Sequence, residues 1–378
     1  MTPSSDAVHD ALATVDDPEI HRPITELGMV DAVEIGDDGA VSIRVLLTVS
    51  GCPMRTEIID RVTRTVSAVP GVAGVSVELG VMTDEQRTTM RESLRGPTRE
   101  IVFNRPGSLT RVYAVASGKG GVGKSSITVN LAAAMARQGL AVGLLDADIY
   151  GHSVPRMLGL DRNPTVVDGM LLPPEANGVR AISMLPFKPG GTAEPVAFRG
   201  PMLHRALEQF LTDVWWGDLD VLLLDLPPGT GDVAISTAQL LPSAELIVVT
   251  TPQQAAAEVA VRSGMLAQQT KQKVAGVIEN MGAFACPHCG EPIDLFGSGG
   301  GDTVAATLTA ALGMSVPLLG RVPFDPRLRE GGDDGRPLVL SDPDSPAGAA
   351  VTAIASDLAA RKRGLAGMNL GVTPAGRP

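Results

Sequence analysis

The sequence predicts an α/β protein, with a mostly parallel, doubly wound sheet in its larger C-terminal part and a small α/β domain in front. Three observations carry this. After residue 110, short near-continuous apolar runs alternate with helical stretches, the pattern of parallel strands covered on both faces. A glycine-rich segment links the first of those runs to the first helix. Ahead of them, residues 82–107 turn polar and rich in Arg, Thr and Pro, as a linker or solvated connecting helix does.

Taken in order, residues 4–80 read as one module. Its expected elements are a helical start at 7–15, an alternating strand at 41–48, a helix at 54–66 and a strand at 75–79. The larger part is expected to place strands at 112–116, 140–145, 221–224, 246–250, 274–278 and 318–320, with helices between. An Ala-rich stretch at 347–363 reads as a packing helix, and Trp215 and Trp216 as packing residues. The expected division is a domain at 1–82, a linker at 83–107, a domain at 108–363, and a Gly- and Pro-rich disordered tail at 364–378.

With 378 residues, 44% of them hydrophobic, the chain buries a substantial core. Its formal net charge of -11 argues against a broad nucleic-acid surface, which needs clustered Lys and Arg. The 347–363 helix ends in a short Arg-Lys-Arg but lacks the large apolar face of a membrane-surface helix. Residues 1–10 carry no leader pattern, and no stretch is long and apolar enough to span a bilayer. Neither a nucleic-acid nor a membrane partner is expected. The three cysteines form no disulfide framework, so a reducing cytoplasm fits best.

The glycine-rich segment is Gly118, Lys119, Gly120, Gly121, Val122, Gly123, Lys124, Ser125, followed by Ser126. It meets G-x-x-x-x-G-K-S without a gap. Backbone N–H groups of such a loop turn inward around phosphate oxygens, Lys124 reaches the β- and γ-phosphates, and the Ser125 hydroxyl is placed for Mg²⁺. The same residues also satisfy G-x-G-x-x-G, with Asp146 at about the ~20-residue spacing of a dinucleotide fold. Lys124 and Ser125 decide between the two, since neither has a task on a dinucleotide pyrophosphate and both serve a triphosphate with its metal.

Two later strands end in acid, where a metal nucleotide would lie. One runs Leu145, Asp146, Ala147, Asp148; the other delivers Asp225 ahead of the loop Pro227, Pro228, Gly229, Thr230, Gly231, Asp232. Aspartates after strands also cap helices, and Asp148 or Asp232 can do only that. Lys119 alone would read as a solvated loop lysine.

Cys286, Pro287, His288 and Cys289 put two thiols on one turn. A zinc knuckle, a redox dithiol and half of an iron–sulfur site all use such a pair, and spacing does not choose among them. Metals of the first and third kinds usually take four ligands, so the chain is two short. A two-fold dimer would bring the pair to meet its copy and give four cysteines on the axis. Cys52 precedes the helical run from Met54, where a helix N-terminus favours a thiolate; a small core residue is its other reading.

These motifs together resemble the Mrp/ApbC family of P-loop ATPases, iron–sulfur cluster carriers related to MinD, ParA and the nitrogenase iron protein. The matching segments are the phosphate loop of deviant Walker A type with its early Lys119, the acidic segment 146–151, residues 225–232, residues 250–253, and 279–290. The front module resembles the MIP18-like domain of iron–sulfur assembly factors through Asp17-Pro18-Glu19, Leu27-Gly28 and Ser50-Gly51-Cys52-Pro53. His152 departs from the family pattern, where a proline is common, and leaves the acidic residues untouched.

The resemblance implies a doubly wound P-loop NTPase sheet and an ATP-hydrolysing homodimer. It also implies a [4Fe–4S] cluster bridging Cys286 and Cys289 of two subunits, passed from a donor to acceptor apoproteins. It further implies that Lys119 reaches the partner's nucleotide, Asp148 orients the attacking water, Asp146 and Asp225 support Mg²⁺, and Asn280 touches the adenine. A cysteine matching Cys52 in related modules implies a transfer thiol there. The other readings are a positioning ATPase of the MinD/ParA kind, which gives Cys286 and Cys289 no task, and a zinc-containing P-loop ATPase.

Overall fold

The structure, a computed structural model, describes residues 2–95, 100–105, 107–148, 151, 153–183 and 200–361. The tail expected at 364–378 lies outside them, as do His152 and the Ile149 and Tyr150 of the acidic segment. The described chain divides into two compact units, Met1–Glu100 with Asn163–Pro174 and Asp213–Gly217, and Ile101–Arg162 with Glu175–Thr212 and Asp218–Pro378.

The first unit opens with α1 (Ser5–Leu12), β1 (Val30–Ile35), β2 (Ala40–Leu47), α2 (Arg55–Ser67), β3 (Gly74–Val81) and α3 (Asp84–Arg95). Its sheet runs β1-β2-β3, antiparallel then parallel. The alternation of β2 sends Val41, Ile43 and Val45 inward, where Ile58, Val62 and Val66 of α2 meet them at helical spacing. The polar stretch after Met82 holds α3, a helix whose buried Met90 and half-buried Leu94 are its contribution to the core.

The second unit begins with β4 (Arg111–Ser117), α4 (Lys124–Arg137), β5 (Val142–Asp146) and α5 (Val154–Leu158). The chain then supplies the first unit with a hairpin, β6 (Thr165–Val167) and β7 (Met170–Leu172). Val167, Met170 and Leu172 are buried in the same cluster as Val8, Ile43 and Cys52. Trp215 packs there too, donating from Nε1 to the Ile20 carbonyl at 3.0 Å.

The second unit continues with β8 (Glu175–Ala176), β9 (Val179–Ser183), α6 (Gly200–Thr212), β10 (Val221–Asp225), α7 (Asp232–Leu240), β11 (Glu245–Thr250) and α8 (Gln254–Thr270). It ends with β12 (Lys273–Gly282), the short β13 (Phe284–Ala285) and β14 (Pro292–Ile293), α9 (Gly300–Leu312), β15 (Leu318–Pro323), α10 (Pro326–Asp333), α11 (Leu338–Ser341) and α12 (Pro346–Ala360). The expected doubly wound sheet is present, in the order β15-β12-β11-β4-β10-β5-β9-β8. Every pair is parallel except the edge pair β8–β9.

All five residues of β5 and of β10 are buried, as strands with helices on both faces must be. From β4 the chain first builds to one side through β5 and β9, then to the other through β11, β12 and β15. The order reverses at β4, so a crevice opens past its carboxyl end. Tyr113 of β4 is buried, and its hydroxyl donates to the Leu358 carbonyl at 3.0 Å, tying α12 to the sheet.

Two outcomes are expected. Met170→Ala removes a fully buried side chain and costs about 2–5 kcal/mol. Hydrogen exchange should then speed up in β2, far away in sequence, and acceleration confined to the second unit would contradict the assignment of the hairpin. Burial, then the nearby Glu245 charge, push the Tyr113 hydroxyl up to about 12. The folded value exceeds the ordinary ~10, so this stabilising contribution is complete below pH ~10 and disappears as pH rises through about 12. Denaturation followed from pH 9 to 12 should show that loss in the parent and a shallower one in Tyr113→Phe.

Candidate functional site

The phosphate loop leaves the end of β4 and enters α4 through Gly123, whose φ of 80° is left-handed. Only glycine fits there: a Cβ would lie 2.2 Å from the Asn280 side-chain nitrogen. That nitrogen donates to the Val122 carbonyl at 2.9 Å, so β12 grips the loop from behind. Asn280 is buried and serves as a clamp on the loop in this structure.

Asp225 stands at the end of β10, in register with Val115 of β4 on one side and Asp146 of β5 on the other. Its side chain is fully buried. Lys124 Nζ approaches Oδ1 at 2.7 Å, the Thr128 hydroxyl donates to Oδ1 at 2.9 Å, and the Ser125 hydroxyl donates to Oδ2 at 2.5 Å. Lys124 is itself only 6% exposed, and donates also to Ser125 Oγ at 3.3 Å. Lys124 and Ser125 are therefore gathered on one carboxylate.

Asp146 is the less satisfied acid. Its Oδ1 accepts the Asp148 N–H at 3.2 Å, while Oδ2 is buried without a hydrogen-bond partner. Burial, then the Asp225 charge, hold its carboxyl well above the usual range. An orphaned buried oxygen beside a second carboxylate and a serine hydroxyl is a donor set suited to a hard divalent cation such as Mg²⁺. Asp148, half-buried, accepts the Gly151 N–H at 2.9 Å.

Lys119 is half-buried, and its Nζ donates to Gln253 Oε1 at 3.3 Å in the loop between β11 and α8. Gly229, in the loop after Asp225, donates its N–H to the Ser117 carbonyl at 2.8 Å. The segments after β4, β10 and β11 thus converge at one end of the sheet. Gln253 ends the 250–253 segment that carries part of the resemblance, and the sequence assigns it no role.

Cys286 and Cys289 sit on the tip of the β13–β14 hairpin, half-buried and exposed respectively. The Cys286 N–H donates to the Glu291 carbonyl at 2.8 Å, and the Gly290 N–H to the Cys286 carbonyl at 2.9 Å. The backbone N–H groups of Cys289 and then His288 hold the Cys286 thiol below the ordinary range. Phe284 and Phe296 both meet Phe324 edge-on, at 5.7 and 5.8 Å between ring centres, and anchor the base of the hairpin. Among the described residues, no three His, Cys, Asp or Glu side chains gather to hold a metal.

In the first unit, Cys52 is buried in the apolar cluster and its sulfur lies 4.0 Å from Glu19 Oε2. The other Glu19 oxygen accepts the Thr165 hydroxyl of the β6–β7 hairpin at 2.8 Å. Nearby, Asp17 accepts the N–H groups of Glu19 and Ile20 and fixes that turn. Among the described residues, no helix is long and apolar enough to cross a membrane.

Comparison with known proteins agrees with the motifs. A family model for iron–sulfur cluster assembly proteins matches residues 5–79. The iron-sulfur cluster carrier protein of Mycobacterium bovis is 60% identical over 373 residues, 98% of this chain and 97% of its own. That of Deinococcus radiodurans is 43% identical over 94% of this chain and 95% of its own. A solved nucleotide-binding protein from Archaeoglobus fulgidus, in complex with ADP, is 35% identical, covering 67% of this chain and 92% of its own, with a TM-score of 0.50. The model of the NUBPL iron-transfer P-loop NTPases, in the ParA group, matches residues 108–359, and the chain belongs to that family.

Proposed function

We propose that the protein carries iron–sulfur clusters and delivers them to apoproteins, as a homodimer that binds and hydrolyses ATP with Mg²⁺. One observation carries the reading: an exposed two-cysteine hairpin that supplies half a ligand set belongs to the same unit as a charged phosphate cradle. Two copies supply four thiolates, the usual complement of a [4Fe–4S] cluster. The carriers that are 60% and 43% identical to this chain support the same role.

The residues divide the work. The N–H groups of 118–126 face the phosphates, and Lys124, already stripped of water, offers its charge to them. Ser125, Asp225 and Asp146 would hold Mg²⁺, which when bound neutralises phosphate charge. Asp148 orients the attacking water. Lys119 extends toward the partner's nucleotide, and Asn280 serves the base as well as the loop. A cluster on two ligands per subunit loosens when the dimer rearranges, which suits a cargo. Cys52 serves as a transfer thiol once the Glu19–Thr165 contact at its side opens.

Two thiols on one turn also suit a zinc knuckle, so metal identity is the decisive measurement. Anaerobic reconstitution with iron and sulfide should yield about four irons per dimer and visible charge-transfer absorption. Both should vanish in Cys286→Ala and in Cys289→Ala. A parent that takes up zinc and ignores iron would sink the proposal.

Lys124→Ala should abolish ATP hydrolysis. It also leaves the buried Asp225 without its cation, at a cost of about 3–5 kcal/mol in stability. Phosphate release at the parent rate, from a variant shown by circular dichroism to be folded, would remove the site assignment.

A further inference from the structure

β12 does two things at once. Asn280 holds the phosphate loop, as described above, while its neighbour Glu279 holds the start of α9. Glu279 is 2% exposed, and its Oε2 accepts the Gly301 N–H at 2.6 Å. Its Oε1 lies 3.4 Å from Arg321 Nε on β15, and Arg321 also pairs with Asp302 on the first turn of α9.

The backbone makes this possible by breaking the strand's regularity. Pairing of β12 with β15 passes from Glu279↔Arg321 to Gly282↔Pro323, so β12 spends three steps where β15 spends two. This is a bulge, a device that re-aims side chains near functional sites. Met281 within it has a φ of 60°, an uncommon conformation for a residue with a side chain. Gly282 follows, and then the cysteine hairpin.

The far end of the hairpin is seated just as closely. A Cβ on Gly301 would stand 2.8 Å from Glu279 Cβ, and one on Gly300 would stand 2.5 Å from the Thr251 carbonyl oxygen. Thr251 precedes Gln253, the residue that receives Lys119, by two positions. Gly300 and Gly301 are therefore pressed onto the two segments that grip the phosphate loop. Chain entry to the hairpin passes through the Asn280 clamp, and chain exit passes through Glu279.

We infer that Glu279 is a positioning residue that couples the phosphate loop to the cysteine hairpin, so that nucleotide binding orders the hairpin. Coupling is reciprocal, and a hairpin fixed by its cargo tightens nucleotide binding by the same factor. The inference rests on the nucleotide half of the proposed function. It does not need the metal half.

The test is hydrogen exchange on the full-length chain, free of iron and sulfide, with and without Mg·ADP. In the parent, nucleotide should protect residues 118–130 and also slow exchange across 284–293 by a factor of about 5–150, the ordinary range of coupling. In Glu279→Ala the hairpin factor should fall to about one while 118–130 stay protected. Glu279→Gln keeps an acceptor for the Gly301 N–H and should keep most of the response. Glu279→Asp, too short by one methylene, repeats the test should the alanine variant not fold.

A residue that merely capped α9 would change exchange equally with and without nucleotide. A hairpin that responds in Glu279→Ala or Glu279→Asp as it does in the parent overturns the inference, as does a parent hairpin indifferent to nucleotide while 118–130 respond. No protection at 118–130 in the parent would instead sink the nucleotide reading itself. The absence of iron keeps both results separate from the identity of the cluster.

Discussion

The Asp225 carboxylate, fully buried at the end of β10, is the constraint on which the second unit's chemistry depends. A lone buried charge of this kind costs several kcal/mol, and the protein meets it with an ammonium and two hydroxyls from a single helix start. The same contacts fix the orientation of α4 and aim Lys124 and Ser125 at the crevice beyond β4. Stability and ligand readiness are one arrangement here. Asp146, one strand over and in register, lacks that compensation and keeps an oxygen unpaired.

From that pivot the loops after β4, β10 and β11 and the strand β12 are tied together by single contacts: Gly229 to Ser117, Lys119 to Gln253, Asn280 to Val122. Each joins segments far apart in sequence. The cysteine hairpin is held differently, by three aromatic rings at its base and by close backbone approach at Gly300 and Gly301. Its tip stays open, with Cys289 exposed.

Much of this was legible in residue order. The phosphate loop is contiguous, so its spacing together with Lys124 and Ser125 pointed to a triphosphate, and apolar runs located β4, β5, β10, β11, β12 and β15 to within a few residues. Asp225 was readable as an acid ending a buried strand. β1 is not among the expected elements, and α3 falls in the stretch read as either a linker or a solvated connecting helix. β1 alternates weakly and buries little, and α3 is so polar that its turn periodicity rests on Met90 and Leu94. β9 was missed, five residues between turn-rich flanks. The destination of the β6–β7 hairpin was hidden as well, since Val167, Met170 and Leu172 are apolar whichever core receives them.

The sequence by itself determined the candidate groups of the site: a lysine and a serine after a glycine loop, strand-end carboxylates, and two thiols on a turn. These signals are local, because loop geometry and strand ends are dictated by neighbours in the chain. Only the tertiary structure decided which of them meet. Asp225 reaches Lys124 across 101 positions, and Asn280 reaches Val122 across 158, through strand order and register rather than through any pattern in either segment. The bulge at Met281 belongs to the same class. It arises where β12 must satisfy the phosphate loop and α9 together, a demand that exists only once the strands are side by side.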